Sequence, residues 1–288
     1  MSGATDFLGN MAFRSRARSL TAQAVTPARE LRARIKDLPP APRFNYSSGS
    51  FDLIAEVKLR SPAVGQLKAV GVEDIAARVT TYAKAGAAAV SVLTEPTHFD
   101  GSLKDLEVAS AALAMLGVPA MRKDFLVDSY QVIEGRAAGA GGVLAILRML
   151  PRADLEKLID TALEFGMFVL LEAFDEADID LANALVAMRP EYHQLLLVGV
   201  NSRDLATLQV VPGRLIALAD LLPREVRRVA ESGVATAEDA AHLASHGYTM
   251  ALVGSALMSA SDPQALAGAM LAAGRAAVLA RAPAGAPR

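Results

Sequence analysis

Residues 51–62 read FDLIAEVKLRSP. The first seven, Phe51 to Val57, make an apolar run interrupted only by Asp52 and Glu56. Such a run fits a parallel strand covered on both faces better than a half-exposed one. It leads into Lys58, Leu59, Arg60, Ser61 and Pro62. A doubly wound nucleotide-binding sheet would carry a glycine-rich turn at that point. Glu56 and Lys58 are two residues apart, so their side chains share a direction and Val57 takes the other. If that direction is the interior of a barrel, charge there is costly unless paired. Two readings follow: a buried ion pair without chemistry, or an acid–base pair with tuned proton affinities.

Working outward, seven more runs of the same kind appear: Ala88 to Leu93, Val118 to Met121, Gly142 to Leu147, Met167 to Leu171, Leu195 to Val200, Val226 to Ala230 and Thr249 to Val253. Between and after them, apolar residues recur at helical spacing over 73–85, 104–115, 129–138, 154–164, 176–188, 214–221, 237–245 and 263–273. Asp128, Thr236 and Asp262 are placed as N-caps, and Pro263 suits a first helical position. Gly86, Gly117, Gly139, Gly166 and Gly247 each stand between a helix and the next strand. Strand starts recur at roughly 23 to 37 residues, the scale of a strand–helix unit with its crossover. Eight such units predict an α/β fold, a single (β/α)8 TIM barrel over 49–275. An N-terminal helical extension, 1–48, contains a helix from Ala28 to Lys36 opened by Thr26-Pro27 and closed by Pro39-Pro40. The low-complexity tail, 276–288, is expected to fray.

Composition narrows the function. Of 288 residues, 52% are hydrophobic and 21% charged, ample for a core and unlike a disordered chain. Cysteine is absent, which removes disulfides, thiolate catalysis, cysteine-ligated zinc and iron–sulfur clusters. A formal net charge of −2 offers no basic field for nucleic acid or an anionic membrane. The N-terminus lacks the apolar core of a secretory signal. Its arginines and serines faintly resemble a transit peptide, but a surface-packing or frayed extension is the expectation, in a soluble cytoplasmic protein. With four histidines, acid–base work falls to Lys, Asp and Glu. His242 and His246 are four apart, a metal-compatible spacing, on a helix of the outer ring without an acidic partner, so a solvated pair is expected. His98 follows the second strand and could reach the mouth. Arg224, Arg227 and Arg228 read as solvated residues before strand seven.

A barrel of this kind carries its chemistry at the carboxyl ends of the strands. Those ends hold Glu56 and Lys58; Ser91, Thr94 and Glu95; Arg122, Lys123 and Asp124; Glu172; Asn201, Arg203 and Asp204; Glu231, Ser232 and Gly233; and Gly254 and Ser255. At a single strand, a charged residue is explained by a solvated loop opening there. Repetition around a ring points to a shared site. Ser232-Gly233 and Gly254-Ser255, after strands seven and eight, read either as ordinary turns or as a phosphate cradle of backbone N–H groups.

These segments resemble indole-3-glycerol phosphate synthase. The resemblance rests on IAEVKLRSP (54–62), SVLTEPTHFDGSL (91–103), RKDFLVDSYQV (122–132), LLEAFDEAD (170–178), GVNSRDLATL (199–208), ESGVAT (231–236) and LVGSALM (252–258), in order, each at a strand end. It implies ring closure of 1-(2-carboxyphenylamino)-1-deoxyribulose 5-phosphate, with loss of carbon dioxide and water, in tryptophan biosynthesis. It implies no metal and no organic cofactor. By resemblance, Lys123 is the general acid, and Lys58 engages the substrate carboxylate and shares a claim to the acid role. Glu172 is the base, with Glu56 as electrostatic support or as an alternative base. Asn201 and Glu231 position the triol. Ser61, Ser232, Gly233, Gly254 and Ser255 hold phosphate; Phe99, Phe125 and Leu205 sandwich the aromatic ring; Arg203 lines the site. A lysine acid would require the pocket to lower its pKa toward the working pH.

Departures from the family pattern are Ala63 and Val64 in place of a hydroxyl and a basic residue, Ala173-Phe174 in place of a Val-His pair, and a longer stretch Met188 to Gln194. They raise the alternative of a duplicated copy acting on a modified anthranilate-derived substrate. A non-catalytic phosphate-binding barrel would be expected to have lost some of Glu56, Lys58, Lys123, Glu172 and Glu231. The sister barrel that isomerises phosphoribosylanthranilate would need a cysteine base. The expected partner is one phosphorylated small molecule, and the expected state a monomer or weak homodimer.

Overall fold

Eight parallel strands close on themselves: β1 (Asp52–Val57), β2 (Ala89–Leu93), β3 (Ala120–Lys123), β4 (Gly142–Ile146), β5 (Phe168–Ala173), β6 (Leu196–Asn201), β7 (Arg227–Glu231) and β8 (Met250–Val253). The computed structural model describes residues 7–44, 46, 50–61, 65–68, 73–205 and 207–281. Each strand pairs with its sequence neighbours, and β8 returns to β1 with Asp52 opposite Met250. The connecting helices are α3 (Ile75–Lys84), α4 (Leu103–Ala114), α5 (Ser129–Ala137), α6 (Arg152–Glu164), α7 (Glu176–Ala187), α8 (Arg214–Leu218) and α9 (Ala237–Ser245). They are followed by short α10 (Ser255–Ser259) and long α11 (Pro263–Arg281). Ahead of the barrel lie α1 (Phe7–Val25) and α2 (Ala28–Lys36).

The strands read as unbroken apolar runs because both faces are buried. Leu53, Ala55 and Val57 of β1 pack outward into the layer shared with the helices. Ile54 packs inward with Ala89, Met121, Leu144, Phe168, Leu170, Leu197, Val229, Met250 and Leu252. Continuing that inward alternation two residues further places Glu56, Ser91, Lys123, Glu172 and Glu231 at the carboxyl mouth. Asn201 follows Gly199 on the same face of β6, and Gly254 follows Leu252 beyond β8. The inward positions thus turn from apolar floor to charged rim within one residue pair.

Helix starts follow the local chemistry. Asp128 accepts from Tyr130 N–H, and Thr236 forms a reciprocal capping box with Asp239. Asp262 accepts from Ala265 N–H. The five glycines between helices and strands all take positive φ.

The tail differs from the sequence expectation. α11 continues through 276–281, where Ala277 and Val278 pack against the outer core. Residues 282–288 lie outside those described. Two short features were beyond the reach of periodicity: α10, and an antiparallel hairpin of Arg60–Ser61 with Gly65–Gln66. The departures at Ala63 and Val64 lie outside the described residues. Arg227 is half-buried and not a solvated residue: its guanidinium stacks over Tyr46 at 4.0 Å.

Candidate active site

A cavity of about 470 Å³ opens at the carboxyl end of the barrel. Every residue singled out for catalysis or binding from the sequence lines it. Of the strand-end residues, Ser91, Thr94, Glu95, Arg122 and Asp204 do not. Arg122 points outward to α5, donating to the Gln131 carbonyl at 2.7 Å and Glu134 at 2.8 Å.

The centre is a lysine between carboxylates. Lys123 Nζ lies 3.2 Å from Glu172 Oε1 and 3.5 Å from Glu231 Oε2. β3 and β7 stand four strands apart in the eight-strand ring, so the second contact spans the mouth. Asn201 Nδ2 donates to the same Glu172 Oε1 at 3.0 Å, and its own carbonyl oxygen accepts from Arg203 N–H at 2.9 Å. Lys58 Nζ meets Glu56 Oε1 at 2.8 Å, which confirms the shared direction of that pair.

Burial and charge set the proton affinities. Burial disfavours the Lys123 ammonium, but Glu172, Glu231 and Glu56 outweigh it, and the net shift is upward. The expected lowering does not occur, because three carboxylates face one amine. Glu231 is raised well above the ordinary carboxylate range, first by burial and then by Glu172, with Lys123 opposing. Glu56 moves the other way: burial pushes it up, but Lys58, Lys123 and Arg203 together pull it down.

Apolar side chains wall the remainder. Phe99 and Phe125 sit with ring centroids 6.2 Å apart, and Leu205, Leu144, Ile146 and Leu252 are among the other apolar lining residues. After β7, Ser232 and Gly233 both take positive φ, 66° and 76°. A Cβ on Gly254 would displace Glu56 Oε1 and the Lys58 amine.

The sequence reading missed Phe7. This residue of α1 lines the cavity and packs edge-on against Phe125 at 5.8 Å. The buried stripe of α1 is Met11, Ser15 and Ser19, at four-residue spacing but two-thirds hydroxyl, so hydrophobic periodicity did not reveal it. Periodicity in small residues was the available signal. His98 stacks on Phe7 at 5.7 Å and stays out of the lining. His242 on α9 and His246 at its C-cap lie together, and no group of metal-ligating side chains occurs among the described residues.

The family model described as indole-3-glycerol phosphate synthase matches residues 13–270. The chain belongs to the indole-3-glycerol phosphate synthase family. A synthase of that name from Nocardioides sp. is 41% identical over 244 residues, covering 84% of this chain and 89% of that one. One from Leifsonia xyli is 42% identical over 229 residues, covering 79% and 83%. A multifunctional tryptophan biosynthesis protein from Schizosaccharomyces pombe is 40% identical over 221 residues, which is 28% of its length. Among solved structures, thiamine phosphate pyrophosphorylase from Pyrococcus furiosus superposes with a TM-score of 0.57 at 13% identity, covering 80% of this chain and 97% of that one. 3-Hexulose-6-phosphate synthase from Salmonella typhimurium gives 0.56 at 15%, covering 81% and 100%. At that identity what the two share with this chain is the barrel fold. No helix among the described residues is long and apolar enough to cross a membrane.

Proposed function

We propose that this chain catalyses the closing of the indole ring of indole-3-glycerol phosphate from 1-(2-carboxyphenylamino)-1-deoxyribulose 5-phosphate, as a carboxy-lyase of tryptophan biosynthesis. The observation that carries the reading is the Lys123 ammonium held across the mouth between Glu172 and Glu231, above an aromatic wall. The raised proton affinity keeps this lysine charged at neutral pH. Such a donor transfers its proton only to an oxygen that is becoming an alkoxide, which is what ring attack on the ketone creates. The anthranilate ring carbon attacks the ketone carbon as Lys123 protonates the oxygen, carbon dioxide leaves and restores aromaticity, and the new hydroxyl, protonated in its turn, leaves as water. That last step needs a base for the departing proton. Glu172, fixed by Asn201 and Lys123, is the residue assigned to it. Lys58 is assigned to the substrate carboxylate, with Glu56 supporting the cationic intermediates. Ser61, Ser232, Gly233, Gly254 and Ser255 are assigned to the phosphate.

The modified-substrate alternative finds no support at Phe174. That side chain is buried under the Arg148 guanidinium at 4.9 Å, outside the cavity lining. The stretch Met188 to Gln194 precedes β6 at the amino end of the barrel, away from the mouth. A non-catalytic barrel would have no reason to keep Glu56, Lys58, Lys123, Glu172 and Glu231 together around one cavity.

The test is turnover of the carboxyphenylamino-deoxyribulose phosphate to a fluorescent indole product, with chelator present. Lys123→Ala is expected to lower kcat by at least about 10². Equal rates for the variant and the wild-type protein, or no turnover by either, would sink the proposal.

A further inference from the structure

Ser202 lies one residue beyond β6 and is 2% exposed. It lines no part of the cavity. Its backbone ties two loops together: its N–H donates to the Glu231 carbonyl at 2.9 Å, and its carbonyl accepts from Val211 N–H at 2.8 Å. Its hydroxyl does something more specific. Oγ donates to the Ser232 carbonyl at 2.9 Å, with the Glu231 carbonyl a second acceptor at 3.2 Å.

The Ser232 carbonyl and the Gly233 N–H belong to one planar trans peptide, in which the two groups point in opposite directions. A donor that fixes the carbonyl therefore fixes the N–H. Ser202 lies outside the cavity lining and takes the carbonyl, so the opposite side of the peptide, which carries the Gly233 N–H, is the one left for the cavity that Ser232 and Gly233 line. Among the described residues, no acceptor meets that N–H. The conformation needs holding: Ser232, a non-glycine residue, is left-handed, and so is Gly233. The turn is also closely packed, since a Cβ on Gly233 would come 3.2 Å from Val210 and 3.4 Å from Ser202 Oγ.

We propose that Ser202 is a positioning residue for the phosphate end of the substrate, acting through the Ser232–Gly233 peptide. The inference rests on the phosphorylated-substrate reading above. The hydroxyl pre-aims one N–H donor at an anion and touches no reacting atom, so its loss weakens binding of the phosphate in ground state and transition state alike. Uniform binding of that kind shows in KM and not in kcat.

The test compares wild type, Ser202→Ala and Ser202→Thr for kcat, KM and affinity for inorganic phosphate. Ser202→Ala is expected to raise KM and the phosphate Kd together by about five- to tenfold, the size of one hydrogen bond. Its kcat should stay within about twofold, and Ser202→Thr, which keeps the hydroxyl, should recover most of the affinity. Unchanged phosphate affinity in Ser202→Ala, or a fall in kcat with phosphate affinity intact, overturns the proposal. A second measurement needs no variant: the Gly233 amide resonance of the wild-type protein must shift when inorganic phosphate is titrated in, and an unmoved resonance overturns it too. If wild-type protein neither turns over the substrate nor binds phosphate, it is the underlying functional reading that has failed.

Discussion

Glu231 keeps one carboxyl oxygen, Oε1, buried and without a polar partner. The oxygen rests over Gly199, where any side chain would collide with it. A charge in that position is poorly solvated, and Glu172 close by adds repulsion, so the proton is retained to higher pH than in the unfolded chain. The sign of the consequence is fixed by linkage. From about pH 4.3, where an unperturbed Glu ionises, up to the raised native value, the native state holds a proton that the unfolded state has lost. Stability from this group is therefore present below that window and declines as pH rises through it. Glu56 runs opposite: its depressed value gives stability that is lost as pH falls. Glu231→Gln removes the first effect and leaves the second. Denaturant melts of both proteins between about pH 5 and pH 8 should show the variant gaining on wild type as pH rises. Parallel curves would mean that Glu231 is ionised throughout. The position of Glu231 was legible in the sequence as the polar residue ending an apolar strand. Its protonation was not, because Glu172 and Lys123 come from strands distant in the chain.

The N-terminal element shows the same division. α2 was readable from its flanking prolines, and its limits match. α1 was expected only as an extension, yet it reaches the site. Its Arg18 places one guanidinium between two acids at the ends of β2 and β3, 2.6 Å from Asp124 and 3.3 Å from Glu95. Both carboxylates are buried, and Asp124 directly follows the lysine of the site. Gln131 of α5 donates to Ser15 of α1 at 2.9 Å, a second polar tie. Contacts of this sort, between a helix and strand ends about a hundred residues on, leave no local trace in the chain. Arg18→Ala strands two buried carboxylates that keep only part of their partners. The expected cost is about 1–3 kcal/mol, read as a lower urea midpoint with unchanged slope. A midpoint within error of wild type would show that α1 merely rests on the barrel.

At the scale of the molecule, closure of the ring is what brings β3, β5 and β7 to one mouth, and α11 helps to seal that ring. Its Gly274 sits directly on the Phe51 ring, leaving no space for a Cβ, while Arg275 donates to the Phe51 carbonyl and to Asp52 at 3.1 Å each. Eight repeating units were readable because each strand is apolar on both faces and each helix on one. The end of the last unit was not, because an alanine-rich segment carries almost the same composition whether it packs or frays. The structure has α11 continuing six residues past Arg275, with Ala277 and Val278 against the outer core and Arg281 reaching the Ala244 carbonyl at 3.4 Å. The two readings separate experimentally. If 276–288 frayed, a chain stopped after Arg275 would melt as the full chain does. With the helical end packed as described, the truncated chain loses two partly buried apolar contacts and a C-terminal tie, worth about 1–2 kcal/mol together. Its Tm should fall by several degrees while KM for the substrate stays put, since no described residue beyond Ser259 lines the cavity. An unchanged Tm would return the boundary of the folded barrel to residue 275.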